Sequence, residues 1–150
     1  MASSESLTPF LGMWTFERMD DERYHETLGK QGLPWAVRKL LQHFEAAREF
    51  VQSPDGTFVF RSKMLTGSWN ELGLNEPTTF SVLGYTIDTL VTWEEDCMLV
   101  STMKTTAAEG FVSAGWTATT RITHAIEGEE LCVTTIAPDG SYKMWLRRQA

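Results

Sequence analysis

The chain has 150 residues, of which 20 are acidic and 13 basic, and its formal net charge is −7. That length suits one domain with a full hydrophobic core, so we expect a single domain over residues 1–150. The acidic balance argues against a nucleic-acid partner, because phosphate binding needs a basic face.

The cysteines and the amino terminus indicate the compartment. Cys97 and Cys132 lie far apart in the chain and form no CxxC or Cys/His cluster, so we expect neither a disulfide framework nor a zinc site. Residues 1–10 lack the basic and apolar segments of a signal peptide, and no apolar run has the length of a membrane span. We therefore expect a cytoplasmic protein without a bound metal or cofactor.

The first 45 residues predict a strand followed by two helices. Aromatic residues at even spacing indicate a strand over residues 10–19. Acidic residues at 20–22 suit a helix amino terminus, and Gly29 is expected to end that helix. Pro34 suits the first position of a second helix. Its apolar residues recur at helical spacing and form one buried face: Val37, Leu40, Leu41 and Phe44.

The second helix lies in a basic stretch of an acidic chain. Residues 27–44 contain three bases and no acid, whereas the rest of the chain has ten bases against 20 acids. Such a helix suits an anionic surface, and Arg38 and Lys39 are candidates for transient contact with an anionic membrane. The simpler interpretation is that these cations only solvate the outer face of the helix.

From residue 46 onward the hydrophobic period changes from 3.6 to 2, which indicates strands. The turn sequence SPDG at 53–56 joins strands expected at 48–52 and 57–65. On the second of these, four side chains share one face: Phe58, Phe60, Ser62 and Met64. Residues 66–77 resemble a loop, and the sequence leaves open whether they contain a strand. Seven more short strands are expected at 78–84, 85–89, 90–96, 97–105, 110–126, 130–136 and 141–148.

About ten short strands with a helix pair after the first predict a mainly β protein. The expected fold is a ten-strand antiparallel up-and-down barrel of calycin type, because closure removes exposed sheet edges. A sandwich is the alternative. The predicted interior includes Ser62, Thr120 and His124 among aromatic residues, which is more polar than a dry core favours. We therefore expect a ligand cavity.

Four short motifs carry a resemblance to a known family. They are GMWTF at 12–16, YHETLG at 24–29, WAVRKL at 35–40 and FSVLG at 80–84, and the last strand is basic and aromatic. In order and spacing they resemble the intracellular lipid-binding proteins, the fatty-acid-binding and cellular retinoid-binding family. The resemblance covers about residues 10–148. It implies a clam-like barrel that is capped by a helix-turn-helix lid and holds a fatty acid, retinoid or related lipid or pigment.

The resemblance also implies a site. In the family, an arginine on the eighth strand and an Arg-x-Tyr on the last strand hold the ligand carboxylate, and the corresponding residues are His124, Lys143 and Trp145. Neither histidine nor lysine offers the planar, permanently charged fork of arginine, so we expect weaker carboxylate binding. If the strand register differs by one residue, Arg121 faces inward instead of His124.

Further residues are expected to contact the ligand or the portal through which it passes: Tyr24, Trp35, Phe58, Phe60 and Met64. The segment from Gly67 to Pro77 resembles an insertion beside that portal, where family members make a tight hairpin. The expected function is intracellular binding and transport of a small hydrophobic ligand by a monomer.

Two alternatives depend on histidines. One is an enzyme acting on a hydrophobic ligand inside the barrel, with His124 as general base, although the chain has no G-x-S-x-G, H-E-x-x-H or P-loop motif. The other is a heme-binding barrel in which His124 or His43 is the axial ligand. We expect a non-enzymatic carrier.

Overall fold

The described residues form ten antiparallel strands, two α-helices and a short 3-10 helix at Thr8–Phe10. The structure is a computed structural model that describes residues 7–42, 46–63, 67–82, 84–94, 98–107 and 117–149. The strands are β1 Gly12–Met19, β2 Ala47–Gln52, β3 Phe58–Lys63, β4 Trp69–Gly73, β5 Thr78–Val82, β6 Tyr85–Glu94, β7 Met98–Ala107, β8 Thr117–Glu127, β9 Glu130–Ala137 and β10 Gly140–Arg148. The helices α1 Asp21–Lys30 and α2 Trp35–Gln42 lie between β1 and β2.

The strands form one sheet in the order β4-β3-β2-β1-β10-β9-β8-β7-β6-β5, so the sheet wraps into a nearly closed barrel. Pairing of β1 with β10 joins the two ends of the chain, and β4 and β5 are the two edges. The loop after β4 reaches across this seam to β6, because Leu74 forms a bridge with Val91 and the Asn75 amide donates to the Val91 carbonyl at 2.7 Å. The expected ten-strand barrel with a helical lid is confirmed.

The helix pair covers one end of the barrel. The Asp20 carboxylate caps α1 by accepting from the Arg23 amide at 3.2 Å, as expected for an acid at a helix amino terminus. On β10, Gly140 allows close packing, since a Cβ there would lie 2.8 Å from Thr27 Oγ1. Within the described residues, no helix has the length and apolar content needed to cross a membrane.

The structure of two segments adds to or differs from the expectation. Residues 69–73, for which the sequence left strand content open, form β4, because the buried Leu72 packs into the core and the backbone pairs with β3. The two strands expected at 85–89 and 90–96 are one strand, β6, because burial alternates without a break from Thr89 to Val91. Phe44 and Met64 lie outside the described residues.

A hydrophobic core fills the end of the barrel opposite the helices, and we call it the packed end. Phe50 is 1% exposed, and its ring lies 5.1 Å from Phe60 and 5.7 Å from Phe10, centroid to centroid. The core residues are Leu7, Phe10, Trp14, Ala46, Phe50, Phe58, Phe60, Leu72, Val91, Leu131, Val133 and Leu146. Strands such as β3, β8 and β10 therefore contribute bulky residues toward the packed end and different residues toward the lid.

Candidate ligand cavity

A cavity of about 400 Å³ lies inside the barrel beneath the helices. Both helices and strands from around the barrel contribute to its wall. The apolar lining residues are Phe16, Met19, Leu28, Leu33, Val37, Leu40, Leu41, Ala46, Ile87, Ala118, Ile122 and Met144. The polar lining residues are Tyr24, Gln31, Arg48, Ser62, Lys63, Tyr85, Thr105, Thr120, Thr135 and Tyr142. This wall suits a mostly apolar molecule with a small polar part.

Small side chains create the space. On β8 the cavity is bordered by Ala118, Thr120 and Ile122, and the next inward residue, His124, packs into the aromatic core. On β3 the inward residue near the lid is Ser62, whereas Phe58 and Phe60 are buried in the packed end. The cavity is therefore the part of the barrel interior where the inward residues are too small to meet.

Arg48 brings a charge to the cavity wall. It lies on β2, two residues from Phe50, and its Cζ is 5.9 Å from the centroid of the Phe60 ring. Its Nη1 donates to the Ala47 carbonyl at 3.2 Å, whereas its buried Nε has no partner among the described residues. Burial lowers the pKa of Arg48 to about 10, against a weaker opposing effect of Tyr142. The guanidinium is therefore still charged at neutral pH.

Two tyrosines border the cavity from α1 and β10. The Tyr24 and Tyr142 rings meet edge to face at 5.2 Å, and the Tyr24 hydroxyl donates to the Arg38 carbonyl at 2.8 Å. Burial raises the pKa of both hydroxyls. For Tyr142, a hydrogen bond with Thr135 and the charge of Arg48 act in the opposite direction. Both tyrosines are therefore neutral at physiological pH.

The last strand differs from its expected register. Tyr142 and Met144 line the cavity, so Lys143 and Trp145 lie on the outer face. Lys143 is exposed, and the Trp145 ring is covered by Arg18, whose Cζ lies 4.5 Å from the ring centroid. Because side chains alternate between the faces of a strand, a shift of one residue exchanges the two sets. The two expected carboxylate ligands are therefore not brought to the cavity.

On the eighth strand the expected register is present, but the ligand contact differs. His124 faces inward and is 1% exposed, and its ring lies 5.4 Å from Phe60 and 6.3 Å from Phe50. It belongs to the packed end and lies outside the residues that line the cavity. Arg121 faces outward and pairs with Glu94 at 2.5 Å.

The other expected contact residues have different positions. Tyr24 lines the cavity, and Phe58 and Phe60 lie in the packed end. Trp35 is 62% exposed and lies on the outside of the lid, with Lys39 Nζ 5.7 Å from its ring centroid. Met64 and the candidate heme ligand His43 lie outside the described residues.

Sequence reasoning missed Arg48, although a signal for it exists. Two buried residues, Ala46 just before β2 and Phe50 within it, are each separated from Arg48 by an even number of positions. The period of 2 therefore places the Arg48 side chain on the inner face. In the described part of the chain, no three His, Cys, Asp or Glu side chains are grouped so that they could hold a metal ion.

Arg38 on α2 forms hydrogen bonds with α1 and with the loop between the two helices. Its Nη1 donates to the Leu33 carbonyl at 2.8 Å and its Nε donates to His25 Nδ1 at 3.3 Å. The other ring nitrogen of His25, Nε2, lies 3.1 Å from Gln42 Oε1. Gly29 allows this packing, because a Cβ there would lie 2.8 Å from Arg38 Nη1. Arg38 is therefore a structural residue of the lid.

The fold is shared with several solved structures. No family model and no curated protein sequence matches the chain. A Schistosoma mansoni fatty acid binding protein in complex with arachidonic acid superposes with a TM-score of 0.71 at 16% identity, over 97% of this chain and 99% of that chain. Apo lipid binding protein 8 of Caenorhabditis elegans gives 0.68 at 18% identity, over 99% of each chain.

Another similar structure carries a different name. Secretory abundant heat soluble protein 4 from Ramazzottius varieornatus superposes with a TM-score of 0.70 at 13% identity, over 95% of this chain and 96% of that chain. At identities this low, the likeness to all three structures shows a shared fold. Because one of the three is called secretory, the fold by itself does not define a compartment.

Proposed function

We propose that this protein binds a small hydrophobic ligand in the barrel cavity and carries it within the cell. The observation that carries the proposal is a cavity of about 400 Å³ with a mostly apolar wall, covered by α1 and α2. Two of the similar structures described above are named for fatty acid or lipid binding, which supports the same use of the cavity here.

Apolar burial is large enough to hold such a ligand. Covering about 15 methylene groups at roughly 0.8 kcal/mol each supplies about 12 kcal/mol. Association costs about 4 kcal/mol or more, so a micromolar affinity of roughly 8 kcal/mol needs little help from polar contacts. Polar residues of the wall then determine orientation and selectivity more than affinity.

The proposed carrier is a non-enzymatic monomer formed by one domain, working in the cytoplasm without a nucleic-acid partner. His124, the candidate general base, is enclosed by the rings of Phe50 and Phe60 and does not border the cavity. A base must come within hydrogen-bonding reach of the proton that it removes. This position supports binding over catalysis.

Blocking the cavity tests the proposal. Ala118→Trp places a large ring in the cavity, and Thr119→Trp adds the same ring to the exposed face of the same strand. We expect the wild type and Thr119→Trp to bind a fluorescent fatty-acid probe that unlabelled lipid displaces, and Ala118→Trp to lose binding at least tenfold. Native mass spectrometry of protein purified from cells should show a bound hydrophobic molecule. Equal binding by both variants, provided that both are folded, would contradict the proposal.

We also propose that the outer surface of α2 meets anionic membranes during ligand transfer. Lys39 lies against the exposed Trp35 ring on this surface. A cation together with an aromatic side chain suits the surface of an anionic bilayer. Lys39→Glu should slow transfer to anionic vesicles, whereas Lys104→Glu, an exposed site on β7, should not. Unchanged transfer by Lys39→Glu would refute this contact.

A further inference from the structure

The cavity holds a guanidinium without a matching anion. The described ion pairs use Arg18, Lys30, Arg61, Arg121 and Arg147, and no carboxylate of the described residues lies within ion-pair distance of Arg48. The other described arginines of the barrel strands lie on its outside or at its end. Arg48 is thus a cation that the protein has enclosed without neutralising it.

The unpaired charge is costly in this place. A guanidinium has five N–H donors, and among the described residues one acceptor meets them, the Ala47 carbonyl at 3.2 Å from Nη1, with the Phe60 ring nearby. Burying a charge is unfavourable unless it is paired and hydrogen-bonded. The low pKa of about 10 reflects that burial. A partner that brings oxygen acceptors into the cavity would remove the cost.

The surroundings of Arg48 fit such a partner. Tyr142 lines the same cavity, and the charge of Arg48 lowers the pKa of its hydroxyl. Thr135 is hydrogen-bonded to Tyr142. These hydroxyl groups donate hydrogen bonds readily to an anionic oxygen. The fork of the guanidinium matches the two oxygens of a carboxylate.

Together these features define an orientation for an amphipathic ligand in the cavity. Arg48 lies where the cavity meets the packed end, because its guanidinium is near Phe60, a core residue. The opposite wall is the apolar surface of the lid, formed by Leu28, Val37, Leu40 and Leu41. A polar group on Arg48 leaves the chain of an amphipathic molecule to extend toward the helices.

We infer that Arg48 binds the carboxylate of an amphipathic, monoanionic ligand whose apolar chain lies under the lid. This inference depends on the proposed function and names the chemistry of its ligand. The resemblance described above places the carboxylate-binding cations on the eighth and last strands, whereas this chain has a histidine and an outward lysine there and supplies its cation from β2. The cation of the inferred anion site therefore comes from a different strand than in the family.

The test compares ligands that differ only in charge. A saturated fatty acid, its methyl ester and the alcohol of the same chain length compete with a fluorescent probe on the wild type, Arg48→Met, Arg48→Lys and Arg121→Met. We expect Arg48→Met to weaken the acid about 10- to 100-fold, the loss of a charged hydrogen bond, and the alcohol less than about threefold. Arg48→Lys should regain part of the acid binding, and Arg121→Met, on the outer face, should bind like the wild type.

Lys63 provides the second variant, since it is the other cation among the lining residues and lies at the end of β3. Loss of acid selectivity in Lys63→Met but not in Arg48→Met would overturn the inference. So would an equal loss of acid and alcohol in Arg48→Met, or no loss of either.

The unmodified protein supplies a measurement that does not depend on how the variants fold. A wild type that binds the acid more tightly than the ester and the alcohol supports the inference. One that prefers the neutral ligands overturns it and leaves the proposed function in place. A wild type that binds none of the three overturns both.

Discussion

The packed end and the lid end of the barrel are built from the same strands. They differ in the size of their inward side chains and therefore in the space that remains between them. At the packed end, aromatic rings lie 5.1 to 5.9 Å apart and exclude solvent. At the lid end, Ser62, Ala118 and Thr120 are too short to meet across the barrel. Stability and binding are therefore separated along the barrel axis, and substitutions at the two ends should have different effects.

The largest effect on stability is expected at the packed end. Phe50→Ala removes a ring that contacts Phe10, Phe58, Phe60 and His124, so the free energy of unfolding should fall by about 3–5 kcal/mol. Urea unfolding measures it. Ile87→Ala is the matched change on the cavity wall and should cost less than half as much, because fewer neighbours lose contact there. Equal losses would mean that the two ends are packed alike.

A smaller effect is expected from releasing the lid. Arg38→Met removes the hydrogen bonds to the Leu33 carbonyl and His25. About 1–3 kcal/mol of local stability should be lost. Amide exchange in α1 and α2 should accelerate, and bound probe should dissociate faster. Lys39→Met changes the next residue of the same helix and serves as control. If both variants exchange alike, the network of Arg38 does not hold the lid.

The pH dependence of stability gives a finer test of the cavity wall. Burial raises the pKa of Tyr142 above that of an unfolded tyrosine, near 10. Above that pH the unfolded chain loses this proton while the folded protein keeps it, so the free energy of unfolding falls as pH rises. The fall should be less steep in Tyr142→Phe than in the wild type between about pH 9.5 and 11. A parallel fall in both proteins would mean that Tyr142 is not buried.

The smallest effect is expected outside the barrel. Lys143→Met changes an exposed residue on the outer face of β10, so stability should change by no more than about 0.5 kcal/mol. Its selectivity for acid over alcohol should equal that of the wild type, which competition binding measures. A loss of acid selectivity would mean that β10 has the register expected from the sequence, with Lys143 inside.

The sequence predicted the fold well because the fold depends on patterns that repeat. The change of hydrophobic period after residue 45 marks the transition from lid to barrel, and turns such as 53–56 separate the strands. The site was predicted less well. On β10 both faces carry large apolar residues, Met144 inside and Trp145 outside under Arg18, so the pattern does not identify the inner face.

Arg48 shows a second reason why the site was harder to predict than the fold. Its parity was readable from the sequence, but an arginine on a strand is usually taken as a surface residue. Its role depends on where along the strand the core ends, and that boundary is formed by residues distant in the chain, such as Phe60 and Ile122. The placement of His124 depends on the same boundary. Ile122 borders the cavity, whereas His124, the next inward residue of β8, lies in the core.

The seam between β4 and β5 is the weakest part of the barrel wall among the described strand contacts. These two strands are not paired, and in the described part of the chain the seam is crossed by the bridge from Leu74 to Val91 and the hydrogen bond of Asn75. Separating two fully paired strands would break several hydrogen bonds. Separating the chain at this crossing breaks one hydrogen bond, which contributes about 1 kcal/mol. Val91 belongs to the core and Leu74 packs against it, so this crossing is supported by the packed end, away from the residues that line the cavity.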